Sequence, residues 1–344
     1  MKTSPPPRRR ADIRYRLTAV VITFGGLLVV VSVLAPLVGT THVSLARALD
    51  RSVPFADNVD AQIFFIARLP RVVAAALVGA GLATAGVVFQ ALLRNPLAAP
   101  ETLGVSVGAS LGAMIAITLL PPAAIAGVSA VSVASFLGSL GALAVVYALS
   151  LARSRGMSST VLLLGGVVLT TFLGAIVTFI QYLADFTKTF QTVRWLMGSL
   201  DVGSYSAIAA SLVPMACAAV GYATLPRTLD LITLGPDAAA ARGVDVGRAE
   251  RVALVTASLS TGAAVALGGP IGFIGIVVPH LVRMLVGADH RLVLPASALF
   301  GAAFLIGCDL IARTIAAPVE LPVGIVTAMI GGPFFLWLLL RRAR

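Results

Sequence analysis

Few residues of this 344-residue chain could carry catalytic chemistry, and their context argues against it. The segment from Gly104 to Gly108, GVSVG, fits the G-x-S-x-G pattern of serine hydrolases, which needs a strand-to-helix elbow and a His-acid pair. Here the segment opens an apolar helix instead. Small residues at such spacing allow two membrane helices to approach closely. We therefore interpret Gly104 and Gly108 as packing positions.

Metal and nucleotide chemistry are not indicated either. The three histidines, His42, His280 and His290, show no ligand spacing with one another or with a cysteine. The usual phosphate-binding loop ends in Gly-Lys-Ser or Gly-Lys-Thr, but the two lysines, Lys2 and Lys188, do not follow such a loop. We expect this chain to hold no cofactor, to hydrolyse no ATP and not to be an enzyme.

Asp309 and Arg313 are ionisable residues within an apolar segment. They are four residues apart, so they share one face of a helix and can pair. One interpretation is a structural ion pair, and the other is a proton relay in an ion-coupled transporter. The Arg313 side chain could also extend to the outer membrane surface.

The elements that would position these residues are membrane helices. The chain is 58% hydrophobic and 11% charged, and a bilayer core of about 30 Å needs about 20 apolar residues per helix. We predict an all-α integral membrane protein with about ten transmembrane helices. They lie near residues 17–39, 66–92, 101–120, 124–152, 158–184, 204–225, 249–268, 271–286, 292–316 and 322–340, with an interfacial helix near 188–200.

Basic residues indicate the orientation of such a chain. Most of the 25 Lys and Arg residues fall on one side if both termini are cytoplasmic, as the positive-inside rule favours. Residues 1–16 are predicted to form a basic cytoplasmic tail that contacts lipid headgroups, with nucleic acid as the remote alternative. Residues 17–344 would form the transmembrane domain of a multi-pass cell-membrane protein.

Two runs contain polar residues and helix breakers inside or beside the spans. Gln90, Arg94 and Asn95 precede Pro96, which predicts a tight cytoplasmic turn. The Gly-Gly-Pro at 268–270 and Pro279 predict that the eighth span is short and bent. Broken helices suit a protein that opens and closes a path.

Several longer segments together resemble the FecCD-type permeases, the membrane subunits of bacterial ABC importers for iron-siderophores, haem and cobalamin. The resemblance covers nearly the whole chain after residue 16. It includes RLPR (68–71), QALLRNPLAAPETLGVSVGA (90–109), WLMGSL (195–200), LGPDAAAARGV (234–244), GPIGFIGIVVPHLVRMLVGADHR (269–291) and ELPVGIVTAMIGGPFFLWLL (320–339). The motif residues that we single out within it are Gln90, Asn95, Pro96, Gly104, Gly108, Pro279, His280 and Arg283.

The resemblance implies a type II ABC importer permease fold and an assembly of two permease subunits, two ATPase subunits that bind ATP and Mg²⁺, and an external solute-binding protein. It implies no nucleic-acid partner. It also suggests that residues 236–243 form the coupling helix that contacts the ATPase, whereas the alternative is an ordinary surface helix. These residues are Pro236, Asp237, Ala238, Ala239, Ala240, Ala241, Arg242 and Gly243.

The resemblance assigns two further groups of residues. Arg68, Arg71 and Arg313 match basic residues that receive acidic side chains of the binding protein, although headgroup contact is the alternative for the first two. Ser159 and Thr160 match a narrow cytoplasmic gate, with a helix N-cap as the alternative. The expected cargo is a ferric siderophore, with cobalamin or haem as alternatives and an ion-coupled secondary transporter as the remote one.

Overall fold

The computed structural model describes residues 8–39, 41–121, 123–125, 128–153, 158–202 and 204–342. A π-helical segment (Ile63–Arg68), a 3₁₀ helix (Pro100–Leu103) and a hairpin of β1 (Ala124–Ile125) and β2 (Val128–Ser129) accompany the α-helices. The α-helices are α1 (Arg8–Leu34), α2 (Leu45–Ala48), α3 (Val59–Gln62), α4 (Leu69–Leu92), α5 (Val105–Leu119), α6 (Ala130–Arg153), α7 (Ser159–Leu183), α8 (Phe186–Leu196), α9 (Tyr205–Thr224), α10 (Pro226–Ile232), α11 (Pro236–Ala240), α12 (Val246–Gly268), α13 (Ile274–Val286), α14 (His290–Thr314) and α15 (Val323–Arg342).

The apolar helices match the predicted spans. Within the described residues, seven helical stretches are long and apolar enough to cross a membrane, and three shorter apolar ones lie in α5, α13 and α15. Each of the ten overlaps one predicted span, and α8 overlaps the predicted interfacial helix. The prediction of an all-α membrane protein with about ten spans is therefore confirmed.

Several predicted boundaries differ from the structure, among them both ends of α1 and the start of α6. Helix α1 begins at Arg8, so residues 8–16 of the predicted tail are helical, whereas residues 1–7 lie outside the described part of the chain. The sequence after Pro7 contains no helix breaker until Gly25, which explains the early start. At the other end α1 stops at Leu34, shortly before Pro36. In the fourth predicted span, residues 124–125 and 128–129 form the paired strands β1 and β2, and α6 starts only at Ala130.

Helix α4 lies at the centre of the bundle. In the apolar stretch from Val59 to Leu92, which ends with α4, 78% of the most apolar 18 residues are buried, compared with 11% in the stretch within α1. Helix α4 packs against α12, α13 and α14. The close contacts use glycine, because a methyl group at Gly79 would overlap the carbonyl of Gly301, and one at Gly86 would overlap the carbonyl of Gly275. Small residues thus let the backbones of neighbouring helices touch.

The short elements mark the two ends of the bundle. Helices α10 and α11 contact each other and the nearby ends of α4, α12 and α14, and we call this end the α11 end. At the opposite end, the α8 end, Lys188 donates a hydrogen bond to the Thr118 carbonyl at 2.7 Å, and the Tyr205 hydroxyl donates to the Phe65 carbonyl at 2.7 Å.

The helical structure is interrupted between α12 and α13, as the Gly-Gly-Pro at 268–270 predicted. Gly269 has a φ of 71° and Phe273 a φ of 69°, so the backbone turns sharply at both positions. Helix α13 is short, with 13 residues, and Pro279 lies inside it. It starts three residues after the predicted boundary. Non-helical backbone of this kind is tolerated at membrane depth where protein surrounds it.

Candidate functional site

The segment predicted to couple the chain to an ATPase contains a short helix at the α11 end. Helix α11 covers Pro236–Ala240, so it ends three residues before the predicted boundary at Gly243. The termination has a structural cause. Gly243 has a φ of 80°, and the Val244 N–H donates to the Ala239 carbonyl at 3.2 Å, which is the closing bond of a glycine-ended helix.

One side of α11 is fixed to the bundle and the other is exposed. The Ala239 side chain is fully buried in a small cluster with Ile232 of α10 and Ala249 of α12. The remaining surface is available to a partner. Its exposed residues are Asp237, Ala240, Ala241, Arg242 and Gly243.

The three arginines predicted to dock a binding protein lie close together at the α8 end, but they are turned inward. Arg71 Nε lies 2.8 Å from Asp309 Oδ1, and Arg313 Nε lies 3.0 Å from Asp309 Oδ2. Arg68 donates to the carbonyl oxygens of Pro36, at 2.8 Å, and Thr41. We refer to Arg68, Arg71, Arg313, Asp309 and Glu320 as the arginine cluster.

The arginine cluster contains one more positive charge than negative charge. Its acids are Asp309, which is 1% exposed, and Glu320, whose Oε2 lies 2.6 Å from Arg71 Nη1. The predicted Asp309–Arg313 pair is therefore present. Arg313 does not extend to the surface, since it is 4% exposed and donates to the Ala35 carbonyl at 3.2 Å. The docking role of the arginines stays a prediction.

The sequence did not single out Glu320, although it is the most accessible carboxylate of the cluster, with 48% of its side chain exposed. It precedes α15, and its partner Arg71 lies 249 positions earlier. The available signal was an acidic residue immediately before the last apolar span.

A second polar group joins α4 to the broken-helix region. Gln90 Nε2 donates to the Gly275 carbonyl at 3.1 Å, and Arg283 donates from Nη1 to Gln90 Oε1. The sequence selected Gln90 and Arg283 separately, and the structure brings them into direct contact. Gln90 thus bridges the first turn of α13 and the arginine near its last turn.

The other residues of the motif after α4 shape the backbone. Asn95 Oδ1 accepts the Leu97 N–H at 2.9 Å, which closes the turn that contains Pro96. Gly104 has a φ of 79° between the 3₁₀ helix and α5. A side chain at Gly108 would overlap the Gly138 carbonyl on α6, so the G-x-S-x-G segment packs two helices together.

The remaining predicted residues lie in α7 and α13. Ser159 and Thr160 are the first two residues of α7, and the N-cap is their neighbour Ser158, whose Oγ accepts the Val161 N–H at 3.4 Å. Thr160 is exposed and Ser159 is half-buried. In α13, Pro279 is buried and His280 is half-buried within the helix.

Comparison with known proteins places this arrangement in a family. Residues 27–341 match the FecCD transport family. The hemin transport system permease protein HmuU of Yersinia pestis is 42% identical over 280 residues, which cover 80% of this chain and 82% of that protein. The cobalamin import system permease protein BtuC of Halobacterium salinarum is 43% identical over 272 residues, covering 79% and 72%.

The fold is also found in a solved structure, described as an inward-facing conformation of a metal-chelate type ABC transporter. It matches with a TM-score of 0.80 and 33% sequence identity over 94% of this chain and 99% of that one. The family match covers most of the chain and the relatives are ABC transporter permeases. The chain is therefore a multi-pass membrane permease that belongs to the FecCD transport family.

Proposed function

We propose that this permease is the membrane subunit of an ATP-driven importer and that, with a second permease subunit, it forms the path for a metal chelate. The observation that carries the proposal is the exposed surface of α11 at one end of a membrane bundle whose fold matches a metal-chelate type ABC transporter. Two ATPase subunits would bind at the α11 end, and a solute-binding protein would bind at the α8 end. The α11 end would then be cytoplasmic and would carry both termini.

The geometry of α11 supports a coupling role. A partner that presses on Ala240 or Ala241 would push a helix that is held between α10 and α12 through Ala239. Displacement would then pass into the bundle rather than into a loose loop. Replacing Ala240 with Arg adds bulk to the exposed surface only, so we expect loss of ATPase co-purification without unfolding. The matched control is Ala98→Arg at a buried position, which should unfold the chain.

The arginine cluster supports docking of an acidic partner. Arg71 and Arg313 pair with the two carboxylates, whereas Arg68 donates to backbone carbonyls, so the cluster keeps one excess positive charge at the α8 end. An acidic side chain of a binding protein would neutralise it, and such charges increase association rates and fix the register of docking. We expect Arg71→Gln to weaken docking while ATPase assembly is unchanged. If the Arg71→Gln variant and the unmodified permease bound the binding protein equally well at low salt, this role would be contradicted.

Ser159 and Thr160 are proposed as part of the gate at the α11 end. Their place at the start of α7, with Thr160 exposed, is compatible with a constriction between two permease subunits. A cysteine at position 160 should form a cross-link between the two subunits in the closed state. Absence of that cross-link in every nucleotide state would contradict a gate at this position.

A ferric siderophore is the proposed cargo, because this is the commonest cargo of the family that the motifs resemble. The relatives named for hemin and cobalamin keep those two chelates as alternatives. The test is uptake into proteoliposomes that contain the permease, its ATPase and its binding protein, with each chelate offered in turn. We expect uptake to require ATP. Uptake by the purified permease alone, driven by a proton gradient, would instead support an ion-coupled transporter.

A further inference from the structure

A groove lies between α1, α13 and α14 near the α11 end. Its volume is about 330 Å³, and we call it the Arg16 groove after the charged residue that lines it. Ala19, Val20 and Phe24 of α1 form one wall, and Leu292 of α14 contributes to the other. Apart from Arg16 and Thr23, the lining residues are apolar.

The groove is recessed into the protein but borders the lipid-facing side of α1. Val20, Phe24 and Leu292 are 5%, 7% and 0% exposed, whereas the neighbouring Val21 and Ile22 are 50% and 68% exposed. The helical segment from Arg16 to Phe24 spans about 12 Å. One leaflet contributes about 15 Å to the apolar core of a bilayer. The groove therefore has the length and polarity that suit an acyl chain in one leaflet.

Arg16 is fixed beside the groove. Its Nη2 atom donates to the Val286 carbonyl at 2.6 Å, at the last residue of α13. The residue as a whole is exposed, and the ion pairs between side chains that the structure describes do not include Arg16. Its guanidinium group has five N–H donors, so it places a positive charge and further donors next to an apolar groove.

The acidic residue of the adjoining loop is already neutralised within the chain. Asp289 Oδ2 lies 2.6 Å from Arg291 Nη2, and hydrogen bonds from Arg291 hold the pKa of Asp289 below its ordinary value. Asp289 therefore stays ionised and paired at neutral pH, so its charge is compensated locally. An anion that approaches Arg16 meets little net repulsion from this loop.

We propose that the Arg16 groove binds one anionic phospholipid, with the phosphate at Arg16 and an acyl chain along the wall from Ala19 to Phe24. Basic pockets between transmembrane helices recognise anionic headgroups in this way. A zwitterionic lipid could fill the apolar part, but it would gain less from the charge of Arg16. Lipid binding at this groove would not depend on the cargo or on the ATPase.

The test measures lipid retention by the purified permease. The protein is delipidated in detergent, incubated with dioleoylphosphatidylglycerol or dioleoylphosphatidylcholine, and the retained lipids are counted by native mass spectrometry. We expect the phosphatidylglycerol to be retained preferentially and Arg16→Gln to reduce its retention roughly fivefold. Arg14→Gln removes the same charge from an exposed residue outside the groove and should have little effect.

A second pair of variants tests the apolar part. Ala19→Phe fills the groove while Arg16 is kept, so it should abolish retention, whereas Leu17→Phe adds bulk outside the groove and should not. The proposal would be overturned by equal losses in Arg14→Gln and Arg16→Gln, by equal retention of both lipids, or by full retention in Ala19→Phe. Melting temperatures of all variants identify a loss that is caused by unfolding.

Discussion

The Nδ1 atom of His290 lies 2.6 Å from Oδ1 of Asp230, and this contact joins α10 to the first residue of α14. The same oxygen accepts the backbone N–H of His290 at 3.1 Å, one of the donors that a helix start leaves without an intrahelical partner. Helix α10 also places Leu229 in the main core and Ile232 in the cluster beneath α11. Asp230 therefore fixes to the bundle the element that supports α11.

We expect Asp230→Ala to loosen this connection. The variant loses the contact to His290 and the acceptor for its backbone N–H, which typically destabilises a protein by about 1–2 kcal/mol. In the assembled transporter, ATP hydrolysis should continue but respond less to the loaded binding protein, and uptake should fall several-fold. The measurement compares basal hydrolysis, stimulated hydrolysis and uptake in proteoliposomes.

Asp230→Asn is the matched variant for this prediction. It keeps the oxygen that accepts the backbone N–H but removes the charge, so it should recover most of the stability. If Asp230→Ala transported as fast as the unmodified chain at equal expression, Asp230 would have no role in coupling. If both basal and stimulated hydrolysis fell in parallel, its role would be in assembly.

The contact between Arg71 and Glu320 leads to a second prediction. Glu320 binds the guanidinium group that, in the proposed function, receives an acidic side chain of the binding protein. Glu320→Gln should therefore strengthen docking several-fold by removing a competing carboxylate. The measurement is the affinity of the chelate-loaded binding protein for the permease in nanodiscs.

A double-mutant cycle separates competition from the general effect of charge. In an Arg71→Gln background, Glu320→Gln should have little further effect on docking. Asp201→Asn removes a charge from an exposed residue at the α8 end and should change affinity less. Weaker docking of Glu320→Gln would mean that Glu320 positions Arg71 rather than competing for it.

The spans could be predicted because each is an apolar run long enough to cross a bilayer, a property that depends on local sequence. Helix α10 could not be predicted in this way, because it has only seven residues. It is held by contacts such as that between Asp230 and His290, which are 60 positions apart in the sequence. Tertiary packing decides whether such a short helix forms.

The same limit applies to the candidate site. The motif residues Arg71 and Arg313 could be found in the sequence, but the position of Asp309 between them could not. Asp309 and Arg71 are 238 positions apart. The three arginines do lie together, but the prediction that they face outward missed that they turn inward, toward Asp309 and backbone carbonyls.

The contact of α4 with α13 leads to a third prediction, which concerns stability. A methyl group at Gly86 would overlap the Gly275 carbonyl, so Gly86→Ala should force the two helices apart and destabilise the protein by about 1–3 kcal/mol or more. Gly174→Ala in α7 is the control, because no atom lies within 4 Å of the added methyl group. Thermal unfolding of the purified permease should separate the two variants. Equal melting temperatures would show that α4 and α13 can move apart without loss.

The bridge formed by Gln90 leads to the last prediction, which separates its two hydrogen bonds. Gln90→Leu removes the acceptor of Arg283 and the donor to the Gly275 carbonyl, so a half-buried guanidinium loses its acceptor. Losing a hydrogen bond to a charged group typically destabilises a protein by about 1.5–3 kcal/mol. Gln90→Glu keeps an acceptor for Arg283 and loses only the donor to Gly275, so it should destabilise less. Melting temperatures and limited proteolysis between α12 and α13 measure the two effects. If the Leu variant were as stable as the Glu variant, Arg283 would not need the acceptor on Gln90. Any destabilisation shared by both variants would then come from the lost hydrogen bond to the Gly275 carbonyl.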